Sequence, residues 1–299
     1  MAKDSLGNRM KMYENQEGNR RFLPLLPVIA RLDGKSFHSF TRGLKRPYDV
    51  RLSSLMSETT RRLAEETQAK IGYTQSDEIT LVFYSGDVKS QIYFDGRIAK
   101  MTSVLAGLAS TIFNRLLPDY LPEKTTQLPL FDCRVWNVPN KDEAVNTLIW
   151  RELDATRNSI TMAAQSVYSH KELDGKSGAD KMEMLFQKGI NWNDYPPFFK
   201  RGLYFQRYQI VRKYNGTELE NLPPKHNART NPDLLVERTE IRILDMPPMT
   251  RIGNRVGVVF WGEEPEERLR TIPISEPEIA AQKLFGTNDT ELGAAIKKL

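Results

Sequence analysis

The order of hydrophobic patterns between residues 25 and 136 constrains the fold of this chain more than any other feature. Residues 25 to 32, LLPVIARL, form a short apolar run that stops at Asp33-Gly34, as a buried strand does when it ends in a turn. Apolar residues at helical spacing follow through residues 50 to 69, where no proline or glycine intervenes. The pattern predicts a strand followed by an amphipathic helix.

A hairpin and a second helix come next in the sequence. Residues 70 to 73 and 79 to 84 are rich in β-branched and aromatic side chains and flank a polar corner at residues 75 to 78. Apolar residues then step by three and four from 98 to 112, and residues 128 to 136 resemble another strand. The predicted order is β-α-β-β-α-β, the ferredoxin-like arrangement in which two helices cover one face of an antiparallel sheet.

The second half of the chain predicts further helices. Residues 142 to 169 lack glycine and proline, which suits one long helix or two abutting ones. Ser177 is expected to cap a short helix that Gly189 closes. The last helix is expected to start at the capping-box pair Ser275 and Glu278.

Three more strands are predicted, at residues 203 to 211, 236 to 244 and 256 to 261, with Asn215-Gly216 as a turn. We therefore predict an α+β protein. Its catalytic core is expected at residues 1–140, and an accessory α+β region at residues 141–299 is expected to pack on that core.

Composition excludes several classes of protein. The chain has 299 residues, of which 39% are hydrophobic and 27% charged, as in folded globular proteins. A net charge of +5 permits an acidic partner such as nucleic acid without requiring one. The single Cys133 excludes an internal disulfide, and three scattered histidines make a structural zinc improbable. A polar N-terminus and the lack of a long apolar stretch predict a cytoplasmic protein with no membrane partner.

Two acidic sites lie where this fold exposes side chains: Asp33-Gly34 at the end of the first strand, and Ser76-Asp77-Glu78 in the hairpin corner. The first strand lies beside the hairpin in such a sheet, so the acids are expected to converge. Two carboxylates forced together repel each other, and a divalent cation relieves that repulsion. Oxygen ligands favour Mg²⁺ or Mn²⁺. Each site alone would be read as an ordinary turn.

Cationic residues surround these acids in the sequence. Lys35 and His38 follow the first acid, Lys45-Arg46 precedes a proline, and Arg97 and Lys100 stand one helical turn apart at the start of the second predicted helix. These charges are suited to a triphosphate. Spacing alone, however, favours the interpretation that Arg97 and Lys100 belong to the solvent-exposed polar face of the helix.

A series of motifs makes the sequence recognisable. In this order they resemble the tRNA-His guanylyltransferase family, the 3′–5′ nucleotide-adding enzymes. The resemblance runs over residues 31 to 202, and the family's catalytic core is similar to the palm of polymerases. The motifs are ARLDGKSFHSF, KRPYD, YTQSDEITLVF, GRIAKMTSVLA, FDCRVW, WRELDATRNS, DKMEMLF, GINWND and FKRG.

The resemblance implies a set of site residues. It makes Asp33 and Asp77 catalytic carboxylates that bind Mg²⁺, as two ions, together with the backbone carbonyl of Gly34. It also implies tRNA contacts at Asn158 and Lys181, to which the pattern of cations and aromatic residues described below adds Lys200 and Arg201. The nucleotide-binding residues that it implies are Arg31, Asp33, Gly34, Lys35, Ser36, Phe37, His38, Arg46, Ser76, Asp77, Arg97 and Lys100.

The resemblance also implies a reaction. Family members activate the 5′-phosphate of a tRNA with ATP or another triphosphate, and the 3′-hydroxyl of an incoming nucleotide, usually GTP, then displaces the activating group. The implied partners are tRNA and nucleoside triphosphates, and the implied assembly is a homo-oligomer, either a tetramer or a dimer.

One departure from the family pattern concerns the choice of tRNA. Members that act on histidine tRNA carry a His-Ile-Asn-Asn stretch after the Trp-Arg pair, whereas this chain reads Thr156-Arg157-Asn158-Ser159. The first Asn is kept and the His is not. The sequence therefore predicts repair of truncated 5′ ends on several tRNAs as much as it predicts strict action on histidine tRNA.

Two other readings remain open from the sequence. A palm-type synthase or cyclase would use the same metal site to act on small nucleotides. A non-catalytic RNA-binding module would bind RNA without using a metal site. Physical RNA contact is also suggested because cations alternate with aromatic residues between positions 200 and 214. The alternative is a plain strand whose rings face the core. The cations concerned are Lys200, Arg201, Arg207, Arg212 and Lys213.

Overall fold

Six antiparallel strands form the centre of the protein in a computed structural model, which describes residues 5–231 and 233–268. The spatial order is β4-β1-β3-β2-β5-β6. Each neighbouring pair is antiparallel. The strands are β1 (Val28–Gly34), β2 (Ile71–Gln75), β3 (Glu78–Phe83), β4 (Phe131–Asn137), β5 (Leu203–Lys213) and β6 (Leu235–Leu244).

Helices lie between these strands and confirm a mixed α+β protein. No helix in the described residues is long and apolar enough to cross a membrane. The helices are α1 (Ser5–Gly18), α2 (Phe37–Phe40), α3 (Val50–Glu66), α4 (Ile98–Tyr120), α5 (Lys141–Gln165), α6 (His170–Leu173), α7 (Gly178–Gln187), α8 (Pro197–Arg201), α9 (Gly216–Asn221) and α10 (Arg255–Trp261).

Helices α3 and α4 cover one face of the sheet. Alternate residues of β1, such as Ala30 and Leu32, point to this face and pack with Leu63 of α3 and Phe113 of α4 in one buried cluster. The alternation follows from the two-residue period of a strand. The side chain of Asp49 accepts the backbone N–H of Arg51 and so caps the start of α3.

The opposite face is covered as well, which corrects the expectation of helices on one face only. Ile29 of β1 and Val82 of β3 point to it and share a buried cluster with Leu148 of α5 and Val258 of α10. The helix that covers this face, α5, comes from the second half of the chain and crosses the sheet that the first half builds. Strands β5 and β6 also come from that half and extend the sheet beyond β2.

Two of the later predictions were wrong. Residues 256–261 were expected as a strand but form α10, which ends at the left-handed Gly262. The strand preference of valine depends on its surroundings, and here burial of Val258 and Val259 against α5 decides the conformation. Asn215-Gly216 is not a turn, since the Asn215 side chain caps α9 in a capping box with Glu218.

Other predictions from the second half are confirmed. The helix expected over residues 142–169 is the single long helix α5, which ends at Gln165, and Ser169 caps the separate short helix α6. Ser177 caps α7, and the strands expected at 203–211 and 236–244 are β5 and β6. The helix expected at Ser275 and Glu278 lies outside the described residues.

Candidate functional site

The end of β1 and the hairpin corner meet at one end of the sheet, which we call the carboxylate end and define by Asp33, Asp77 and Glu78. The Gly34 N–H donates to the Asp77 carbonyl at 3.1 Å. Asp33 is the direct register partner of Glu78 across the β1–β3 ladder. The structure therefore brings together the two acids that the sequence placed 44 residues apart.

The electrostatics of this end suit a cation. Burial, and then the negative charge of Asp33, raise the pKa of Asp77. A divalent ion would offset both effects by stabilising the ionised carboxyl. In the part of the chain that the structure describes, no group of three or more His, Cys, Asp or Glu residues is placed to hold a metal. The two carboxylates would thus share an ion with carbonyl, water and phosphate oxygens, as Mg²⁺ often does.

The Phe37 ring leaves no room for a side chain at position 34, so the end of β1 requires a glycine there. A Cβ atom on Gly34 would come within 2.3 Å of the Phe37 ring. That ring is buried and packs on Phe113 and Phe131, with ring centroids 5.5 and 5.2 Å away. The Phe37 side chain therefore belongs to the core, and only its backbone is available to a nucleotide.

The segment after Gly34 exposes backbone donors. Ser36 has a left-handed backbone with a φ of 58° and precedes α2. Within the described chain, the N–H groups of Ser36, Phe37 and His38 have no acceptor, as is usual for the first amides of a helix. Such a run of free amides next to an αL residue suits an anion.

A cavity of about 470 Å³ lies beside this segment. Three predicted nucleotide-binding residues line it, His38, Arg46 and Ser76, and α5 contributes Met162 and Gln165. Asp49 holds the loop on its wall, because its carboxylate accepts the Lys45 N–H at 3.3 Å and the Arg51 guanidinium at 2.9 Å. The volume falls within the range of small-molecule sites.

Sequence reasoning missed an ion pair at the carboxylate end. The buried Arg151 of α5 binds the buried Glu78 through two hydrogen bonds of 2.6 Å and also contacts Asp154 at 3.0 Å. Glu78 is therefore held by an arginine, whereas Asp77 next to it has no such partner among its described hydrogen bonds. A signal existed: Arg151 falls on the apolar stripe between Leu148 and Ala155, where a cation needs a buried partner.

Arg97 and Lys100 lie at the opposite end of the sheet, where β1 begins. Strand β3 leads away from the hairpin corner until Phe83 pairs with Val28. The Tyr93 ring then stacks on Phe83 with ring centroids 6.1 Å apart, and Arg97 directly precedes α4 without a side-chain capping hydrogen bond. Within one chain the structure does not bring these two cations to Asp33 and Asp77. The Arg97 Nε is buried without a hydrogen-bond partner in the described chain.

The residues expected to contact tRNA gather around the later turns of α5. Asn158 donates to Asp154 at 3.3 Å, and the Lys181 ammonium donates to Thr161 at 3.2 Å. The Lys200 ammonium donates to the carbonyl of Asn193, and the Lys200 carbonyl accepts the hydroxyl of Ser159 at 3.3 Å. Arg201 follows in α8, and its carbonyl accepts the Tyr73 hydroxyl at 2.6 Å.

The later cations of β5 are bound within the protein. The Arg207 guanidinium donates to the backbone carbonyls of Ala64 and Ala69, and Arg212 pairs with Glu218 and Glu240. Lys213 likewise pairs with Asp233. The structure therefore favours the plain-strand reading of this stretch, in which Tyr204 and Phe205 are core residues.

Thr156 lies in the middle of α5. Its hydroxyl donates to the Glu152 carbonyl at 3.0 Å, one helical turn earlier. The side chain is therefore satisfied by its own helix, and its neighbour Arg157 is exposed and pairs with Asp154.

Comparison with known proteins identifies the family. The family model described as tRNAHis guanylyltransferase (Thg1) matches residues 7–139. A solved bacterial tRNA(His) guanylyltransferase (Thg1)-like protein in complex with ATP is 38% identical, with a TM-score of 0.64, over 68% of this chain and 88% of that one. The chain belongs to the tRNA(His) guanylyltransferase family.

Further relatives agree with this assignment. A bacterial protein of the same description in complex with GTP is 30% identical, with a TM-score of 0.63, over 83% of this chain and 94% of that one. The tRNA(His) guanylyltransferase of Schizosaccharomyces pombe is 29% identical over 220 residues, which are 69% of this chain and 82% of its relative. The family is one of nucleotidyltransferases that act on tRNA.

Proposed function

We propose that the protein is a Mg²⁺-dependent nucleotidyltransferase that adds nucleotides in the 3′–5′ direction to the 5′ end of tRNA. The convergence of Asp33 and Asp77 at one end of the sheet carries this proposal. Family membership supports the reaction class, and we place the ligands of that reaction at the two-carboxylate end. We propose that the four strands from β4 to β2, with α3 and α4, act as a polymerase-type palm.

We propose that Asp33, Asp77 and the Gly34 carbonyl hold the metal ions. Bound Mg²⁺ lowers the pKa of an attacking hydroxyl and neutralises charge on phosphate oxygens. By holding the metal, the two carboxylates would orient the nucleotide against the 5′ phosphate of the RNA. Arg151 removes Glu78 from this set, since its guanidinium occupies both oxygens of that carboxylate.

The triphosphate of ATP or GTP would lie along the segment after Asp33. Free backbone amides from Ser36 to His38, the ammonium of Lys35 and the guanidinium of Arg46 provide donors there. The neighbouring cavity, which Ser76 and His38 also line, has room for the rest of a nucleotide. Arg31 lies two residues before Asp33 on the same sheet face, and its Nε is buried without a partner in the described chain.

Arg97 and Lys100 need a separate place in this proposal. Their helix begins where β1 begins, so any phosphate that they bind belongs to a nucleotide other than the one at the carboxylates of the same chain. The unpartnered Arg97 Nε supports a role in binding an anion.

For tRNA, we propose contacts along the surface formed by the later turns of α5 with α7 and α8. Asn158, Lys181, Lys200 and Arg201 lie on these elements. Met162 and Gln165 of the same helix line the nucleotide cavity, so α5 connects the proposed RNA surface with the proposed nucleotide site.

A nucleotide-addition assay tests the function directly. The protein is incubated with a labelled tRNA that lacks its first nucleotide, with Mg²⁺, ATP and GTP, and the product is sized. We expect an RNA longer by at least one nucleotide, and none with Asp33→Asn. Conversion of ATP or GTP alone to a cyclic or condensed product would favour the small-nucleotide reading. RNA binding with neither reaction would favour the non-catalytic module.

A further inference from the structure

Trp150 is an exposed aromatic residue of α5 beside the carboxylate end. Its side chain is 48% exposed although it stands in the turn that covers the carboxylate end. The large flat ring of an exposed tryptophan offers an area on which another ring can stack. The next exposed apolar residue on the helix, Leu153, widens the same patch.

Two guanidinium groups fix the place of this indole. Arg31 of β1 lies 5.8 Å from the Trp150 ring centroid, and Arg151 of α5 lies 4.6 Å from it. Arg151 in turn holds Glu78, the register partner of Asp33. Trp150 is thus next to the sheet face that carries Asp33, about 7 Å along β1 from it, the length of two strand residues.

The rim of the patch is cationic. Arg134 is the register partner of Arg31 on β4, so its exposed side chain stands on the same face, with Asp132 at 3.7 Å as its acidic neighbour. Arg157 is also exposed, about two helical turns after Trp150 along α5. A flat aromatic ring with arginines around it is the arrangement that binds unpaired bases and their phosphates.

We propose that Trp150 is a stacking platform for an unstacked nucleobase next to the metal-binding carboxylates. The inference rests on the proposed function, because the base would come either from the 5′ region of the RNA or from the nucleotide substrate. The ring of the base lies on the indole, and Arg31 and Arg134 contact its phosphates. Trp150 is then a substrate-binding residue, in addition to packing on Arg151 of the Glu78–Arg151 ion pair.

The test uses 2-aminopurine, a base analogue whose fluorescence is quenched when it stacks on an aromatic ring. In one arm it stands at the first nucleotide of a truncated tRNA, and in the other it is the base of a ribonucleoside triphosphate with no RNA present. The protein variants are wild type, Trp150→Phe, Trp150→Leu and Trp150→Ala. Trp261→Ala is the matched control, since Trp261 is 58% exposed and also contacts a cation, Lys141, at 5.3 Å.

We expect saturating wild type and Trp150→Phe to quench the analogue, and Trp150→Leu and Trp150→Ala to lose the quench. The Kd of Trp150→Leu and Trp150→Ala for the same 2-aminopurine ligand should rise about tenfold, in keeping with the loss of one base–aromatic stack. Trp261→Ala should behave as wild type. The arm that shows the Trp150-dependent quench identifies the source of the base. The leucine variant keeps apolar cover over Arg151, so its melting temperature should stay close to that of wild type.

Two results would contradict the stacking role of Trp150. One is quenching that persists in Trp150→Leu, and the other is a lack of quenching by wild type in both arms. Nucleotide addition by wild type is measured in the same samples. Addition without a Trp150-dependent quench refutes the platform alone. A Trp150-dependent quench without addition refutes the proposed reaction and leaves the platform in place.

Discussion

The two ends of the sheet have opposite chemistry. The carboxylate end holds Asp33 and Asp77, and burial together with mutual repulsion raises the pKa of Asp77 there. The other end, which we call the α4 end and define by Arg97 and Lys100, carries cations, and its acid Asp95 is paired with Arg21. Residues 76–100 join the two in sequence, yet β3 and the start of α4 separate them by the length of the sheet.

The difference teaches that strand register decides which motifs meet. Asp33 and Asp77 lie far apart in the sequence but meet because the hairpin corner falls opposite the end of β1. Arg97 follows Asp77 closely, yet six residues of strand β3 carry the chain about 20 Å away, at about 3.3 Å per residue. Proximity in sequence would have grouped these residues wrongly.

The largest expected effect comes from a charge change at the carboxylate end. Asp33→Asn keeps the shape of the side chain and removes one metal-binding charge. Loss of several kcal/mol of metal stabilisation should lower the single-turnover rate of nucleotide addition by about a thousandfold. Circular dichroism should show an unchanged fold. Near-wild-type addition by this variant would remove Asp33 from the metal site.

The next effect concerns the ion pair beneath this end. Arg151→Met leaves the buried Glu78 carboxylate without its partner, which should cost about 3–5 kcal/mol in the free energy of unfolding measured by urea. The matched control is Arg157→Met, whose exposed pair with Asp154 should contribute less than about 1 kcal/mol.

Restoring charge balance sharpens this prediction. In the double variant Glu78→Gln with Arg151→Met, no unpaired buried charge remains, and most of the lost stability should return. Equal losses in the single and the double variant would show that the contact matters through packing and not through charge.

A smaller effect is expected at the α4 end. Lys100→Ala should weaken nucleotide binding two- to fivefold, as the loss of one exposed charged contact does, while tRNA affinity stays nearly the same. The Mg²⁺ concentration for the half-maximal rate should not change, because the carboxylates lie at the other end. Calorimetric titration with GTP and a Mg²⁺ titration of the rate separate the two quantities. A shift in the Mg²⁺ requirement would contradict the separation of the ends.

The smallest effect concerns the choice of tRNA. The Thr156 hydroxyl is bound to its own helix and lacks the flat face of a histidine, so it offers little discrimination between bases. We expect addition to several truncated tRNAs with at most a modest preference for histidine tRNA, measured by competition between equal amounts of substrate. Extension of histidine tRNA alone would assign recognition to other residues.

The sequence allowed much of the first half of the fold to be predicted, because helical and strand periods there are clear and agree with local propensity. The convergence of Asp33 and Asp77 followed from that order of elements. The Glu78–Arg151 pair could not follow, since no local pattern relates residues 73 positions apart that meet through the path of α5. Helix α10 was missed because burial against α5 overrides the strand preference of its valines.

The central claim is that Asp33 and Asp77 share a divalent ion, and Mn²⁺ titration followed by electron paramagnetic resonance tests it most directly. Because the pKa of Asp77 is raised, protons should compete with Mn²⁺ at a higher pH than for an ordinary aspartate, so affinity should fall as the pH is lowered into that range. Asp77→Asn should abolish high-affinity Mn²⁺ binding and nucleotide addition together. Unchanged Mn²⁺ affinity in Asp77→Asn would contradict the account.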